Sequence, residues 1–117
     1  MLRFVVFFLL PAAIARPLAA DPRRGETIFR ICVSCHNDRP DALGPSLHGV
    51  MGRTAGTLKE FRYSSAMKRA NFTWTSERLR AFVRYPQSVV PGNRMPFSGL
   101  TEPRDIDDLV SCLETFK

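Results

Sequence analysis

Apolar positions along the chain gather into four short stretches with helical spacing, set apart by long segments rich in proline, glycine and polar residues. The first predicted helix covers residues 22–35. Asp21 offers an N-cap oxygen, Pro22 stands where no N–H is needed, and Ile28, Phe29, Ile31, Cys32 and Cys35 supply the apolar side. Ser64 or Ser65 can cap a short second helix reaching Arg69. Thr75 caps a third, with Leu79, Phe82 and Val83 on one face and Pro86 as its stop. Thr101 is the expected cap of the last helix, Pro103 lies in its first turn, and Ile106, Leu109, Val110 and Leu113 form its stripe. Residues 37–62, with Pro40, Gly44, Pro45, Gly49, Gly52 and Gly56, read as one long loop. Residues 86–100 read as irregular. No pair of strands is evident, so the fold class is all-α, four short helices joined by large loops.

The N-terminal segment changes this picture. Sixteen of residues 1–20 are apolar, two are Arg and none is acidic. A charged start, a short apolar run and a small-residue end are the plan of a secretory signal peptide. Pro11, Arg16 and Pro17 break the run too early for a spanning helix, which needs about 20 mostly apolar residues. The reading is a signal peptide over 1–20, cut after Ala20, and a single domain over 21–117. A cut after Ala15 and a retained anchor are the alternatives. Export places the domain in the periplasm, an oxidising compartment.

Composition narrows the function classes. Loss of the leader would take the formal net charge from +6 to +4. That modest excess is interleaved with acids, which argues for weak steering toward an acidic protein partner rather than nucleic-acid binding. The domain is lean in apolar residues for its size, so something besides side chains is expected in its core. A chain this short excludes a multidomain enzyme, and no fixed-period repeat is visible.

Cys32-Val33-Ser34-Cys35-His36 supplies the candidate. Two cysteines three residues apart, followed at once by histidine, are the signature of covalent haem c attachment. On one helical face both thiols can reach the two vinyl groups of one porphyrin edge, and His36 can take the proximal axial position on the iron. A thioredoxin-like pair would want a strand before the motif. A zinc site would want a fourth ligand, and His48 is the only other histidine. A disulfide across one turn would be strained. The second axial ligand is sought among His48, Met51, Met67 and Met95. Met95 is favoured, because Pro91 and Pro96 stiffen the segment that carries it.

With these motifs in order, the chain from Gly25 to about Phe116 resembles a class I c-type cytochrome, of the mitochondrial type and its bacterial relatives. Gly25-Glu26-Thr27-Ile28-Phe29 matches the family's first helix, Gly44-Pro45-Ser46-Leu47-His48-Gly49 the loop beside the proximal histidine, and Pro91-Gly92 with Met95 the methionine loop. The resemblance implies a cytochrome c fold around one haem, with the Pro45 carbonyl accepting the proximal imidazole N–H. It further implies that Arg53, Tyr63, Trp74 and Asn93 surround the haem propionates. Several positions depart from the family: Phe82 for a common Tyr, Asn93 for Thr, Gln87 and Ser88 for two Lys, and Cys112 for an aromatic. Cys112 is read as a small buried hydrophobe, with an intermolecular disulfide as the alternative. Arg30, Arg84 and Arg94 are candidates to replace the missing lysines.

The expected function is one-electron transfer by a monomeric, soluble haem carrier that is not itself an enzyme. Its donor would be a quinol-oxidising complex or a dehydrogenase, and its acceptor a terminal oxidase or reductase, as the resemblance implies. No nucleic acid and no stable membrane insertion are expected. Two other functions compete: a peroxidase-like enzyme with a labile Met95 bond, and a haem subunit of a larger dehydrogenase.

Overall fold

A computed structural model describes residues 10–14 and 18–117. Most of the expected leader, residues 1–9 and 15–17, lies outside the described residues. Helix α1 spans Pro22–Val33, α2 Ser65–Lys68, α3 Ser76–Arg84, α4 Pro86–Val89 and α5 Pro103–Leu113. The described residues contain no strand. A single antiparallel bridge joins Thr54 and Thr73.

The helix starts follow the caps. The Asp21 carboxylate accepts from the N–H groups of Arg23 and Arg24, Ser64 Oγ from Met67, and Thr75 Oγ1 from Arg78. Two expectations need correcting. The cap of α5 is Glu102 rather than Thr101, and it makes no side-chain hydrogen bond. Pro103 holds the first helical position, so the residue directly before it takes the cap. Residues 86–100 are not wholly irregular either. Pro86 both stops α3 and opens α4, a turn too short to show an apolar period. Among the described residues there are thus the four expected helices and the one-turn α4 besides.

Helix α1 crosses α5 at Gly25. A methyl group there would overlap the Asp108 backbone carbonyl and lie 2.8 Å from Cys112 Cβ, so the approach is open only to glycine. The crossing is sealed by Phe29 edge-on to Phe116, centroids 4.9 Å apart. It is further tied by Asp108, whose two oxygens accept from the Asp21 N–H at 2.7 Å and Arg24 at 2.8 Å. Helix α3 lays Leu79, Phe82 and Val83 into the same core as Ile106, Leu109, Val110 and Leu113 of α5. Val50, Ala55, Trp74 and Val90 complete that core from the loops. Cys112 is 1% exposed and unpaired, so it packs as the small hydrophobe expected and offers no surface thiol for a disulfide.

Candidate haem site

The last turn of α1 carries the cysteine motif. Although the helix ends at Val33, the N–H groups of Cys35 and His36 both return to the Cys32 carbonyl, at 3.1 and 2.9 Å. The helical path thus continues as a tight turn, and Cys32, Cys35 and His36 leave it together. All three are half-buried, and both thiols are free. Burial pushes the Cys32 thiol up to about 11, with the nearby Cys112 and Cys35 adding to the effect. An unattached Cys32 is therefore a protonated thiol at neutral pH and slow to oxidise.

His36 is held in one orientation. Its Nδ1 lies 2.7 Å from the Pro45 carbonyl oxygen. A carbonyl only accepts, so Nδ1 carries the proton and Nε2 presents its lone pair. This is the contact expected of Pro45. The Gly44 N–H donates to the Cys35 carbonyl at 2.9 Å and draws the loop against the ring. A Cβ on Gly44 would sit 2.6 Å from His36 Cε1 and 2.7 Å from Nδ1. Burial lowers the imidazole pKa; the Pro45 bond opposes that shift, and the Arg53 charge adds to it. The shift favours the neutral ring, the form that binds metal.

Met95 lies on a separate loop. Like Cys32, Leu47, Met51, Met67 and Leu100, it is partly buried against the common core. Its backbone N–H donates to Asn93 Oδ1 at 2.9 Å, and Asn93 Nδ2 donates to the Val90 carbonyl at 2.9 Å. The buried Asn93 amide is thus engaged inside the loop, a role that the sequence did not reveal. The rival axial candidates are placed differently. His48 is exposed and stacks on Phe116 at 5.7 Å, Met51 Sδ lies 3.7 Å from the Ser76 hydroxyl, which donates to Glu114, and Met67 sits on α2.

Arg53, Tyr63 and Trp74 belong to one neighbourhood. The Trp74 N–H donates to the Arg53 carbonyl at 2.9 Å, beside the Thr54–Thr73 bridge. The Arg53 guanidinium donates to the carbonyls of Ser46 at 2.9 Å and His48 at 3.3 Å. Burial lowers its pKa, with Tyr63 acting the other way, and among the described residues it pairs with no carboxylate. The Tyr63 hydroxyl accepts from the Leu58 N–H at 3.4 Å, which leaves its own proton to donate. Trp74 is wedged edge-on between Phe72 and Phe82, with centroids at 4.8 and 5.0 Å.

Two thiols on one turn, an imidazole with its Nε2 lone pair available, a thioether on a separate loop and the half-buried Arg53 cation make a donor set that fits one haem. Known proteins agree. The chain is 38% identical to cytochrome c2 of Blastochloris viridis, with 98% of this chain and 94% of that protein covered. It is 40% identical to cytochrome c2 of Rhodomicrobium vannielii, over 83% and 80% of the two chains. The chain belongs to the class I c-type cytochromes.

Among solved structures, cytochrome cH from Methylobacterium extorquens superposes with a TM-score of 0.77 at 35% identity, covering 82% of this chain and 99% of that one. No protein-family model matches the chain. As a class I cytochrome, the protein carries one covalent haem c and is an electron carrier. These relatives lend no support to the peroxidase-like alternative.

Proposed function

We propose that Cys32 and Cys35 form the two thioether bonds to the haem, that His36 Nε2 is the proximal iron ligand, and that Met95 Sδ is the distal one. When bound, the haem supplies a one-electron ferrous–ferric couple. The polypeptide sets the conditions for it. His36 is fixed in tautomer and orientation by the Pro45 carbonyl, with Gly44 leaving room for the ring. Met95 is held on a braced loop, and its soft sulfur raises the potential relative to a second imidazole. Arg53, Tyr63 and Trp74 present donors to the propionates, and the Asn93 amide keeps one N–H beyond its bonds to Val90 and Met95. With His36 and Met95 both given to the iron, the protein would keep no open site for oxygen or substrate and would catalyse no reaction of its own.

The observation that carries this reading is the His36–Pro45 hydrogen bond packed under Gly44, on the turn that also presents both cysteines. Met95→Ala tests it. The haem is expected to stay attached, the potential to fall, the ferric sulfur–iron absorption band to vanish, and the iron to bind added ligands. An unchanged spectrum would exclude Met95.

The carrier reading extends to place and partners. Residues 1–20 act as a signal peptide that delivers the domain to the periplasm. A chain starting at Asp21 keeps the α1 cap and the bond to Asp108. Among the described residues no helix is long and apolar enough to cross a membrane. Arg30, Arg84 and Arg94 are exposed and give a monomer a basic surface for brief contact with acidic redox proteins. The donor is a quinol-oxidising complex or a dehydrogenase, and the acceptor a terminal oxidase or reductase.

A further inference from the structure

Gln87 is the second residue of α4, and its side chain leaves the helix toward the loop that carries Met95. The amide nitrogen donates to the Asn93 carbonyl at 2.9 Å, and the amide oxygen accepts the Gly92 N–H at 3.0 Å. One side chain therefore closes on two successive loop residues, using both ends of its amide. Asn93 passes the constraint on, since its Oδ1 accepts the Met95 N–H. The same loop is tied from another side by Arg94, whose guanidinium donates to the Arg62 carbonyl at 2.7 Å. The base of the brace is firm: Pro86 is buried, and the Tyr85 N–H is bonded to the Ala81 carbonyl of α3.

We infer that Gln87 is a positioning residue for Met95, and that it governs how readily the Met95 sulfur yields the iron to another ligand. The inference rests on Met95 being the distal ligand. The chemistry asks for an amide at this position. Gly92 offers an N–H and Asn93 offers a carbonyl, so the brace must accept and donate at once. A methionine has the length of glutamine, but its thioether cannot donate to Asn93 and accepts only weakly from Gly92. A carboxylate accepts from Gly92 but repels the Asn93 carbonyl. Without the brace both backbone groups turn to water, and opening of residues 91–95 becomes easier by the worth of two hydrogen bonds.

The test is an imidazole titration of the ferric holoprotein, read as loss of the sulfur–iron absorption band, for wild type, Gln87→Met, Gln87→Glu and Ser88→Ala. Ser88 lies on the same turn but bonds only to the Tyr85 carbonyl, so it controls for general damage to α4. Gln87→Met is expected to bind imidazole about tenfold more tightly than wild type, from two lost hydrogen bonds. Gln87→Glu should change in the same direction. Ser88→Ala should stay within about twofold, because no bond to the loop is lost. Unchanged imidazole affinity in Gln87→Met would overturn the inference, and so would an equal gain in Ser88→Ala. A wild-type protein with no sulfur–iron band would instead overturn the assignment of Met95 itself.

Discussion

At Gly44 a single hydrogen in place of a methyl group decides whether the His36 ring can lie where it does. Gly44→Ala puts a carbon 2.6 Å from Cε1, and either ring or loop must give. We expect a loss of about 1–3 kcal/mol in denaturant unfolding, the usual cost of forcing an extra carbon into a packed site. The Cys-x-x-Cys-His cluster was legible from sequence because its chemistry is local: three residues on one turn need no knowledge of the rest of the chain. Pro45 was legible only through family resemblance, since nothing in a local pattern says which carbonyl meets a ring nine residues away. The engagement of Asn93 and the reach of Gln87 were not legible. Both depend on how α4 returns beside residues 91–95, which is a tertiary fact.

Among the helices, caps were the most readable signal. Asp21, Ser64 and Thr75 each bond as a hydroxyl or carboxylate before an apolar period should. Thr101 has the same residue type and fails, because Pro103 fixes the register one residue later and leaves Glu102 as the cap. The contrast is measurable. Thr75→Ala should cost about 1 kcal/mol of unfolding free energy, the typical worth of an N-cap. Thr101→Ala should stay within about 0.5 kcal/mol, as for an exposed position without a special role. Equal losses would show that Thr101 caps α5 in solution. Helix α4 escaped the pattern because four residues cannot display a 3.6-residue period, and because a proline that stops one helix can also start the next.

For the molecule as a whole, the crossing of α1 and α5 joins the two ends of the described domain through Asp108. Its carboxyl is held below the ordinary value of 3.8, first by the Asp21 N–H, then by Arg24, with Arg104 contributing charge and burial opposing. Asp105 shares the Arg24 guanidinium at 2.5 Å. A carboxyl whose pKa is depressed by folding stabilises fully above its unfolded value, and that contribution fades as pH falls through the folded value. The clamp should therefore be intact at neutral pH and weaken below about pH 4. Asp108→Asn should lower stability by about 2 kcal/mol at pH 7, the worth of hydrogen bonds to a charged group, and flatten the acid limb of the pH–stability curve. An acid limb identical to wild type would assign acid unfolding to other groups.

A covalent haem held by His36 and Met95 would give this domain both its carrier function and part of its core. A redox titration of the purified protein, followed by its absorption spectrum, tests that most directly. Expected are a coloured protein, one reversible one-electron step, and a sulfur–iron band that is present when oxidised and disappears on reduction. A colourless product from cells competent to attach haem, or a haem protein whose ferric spectrum shows an open axial position at neutral pH, would contradict it.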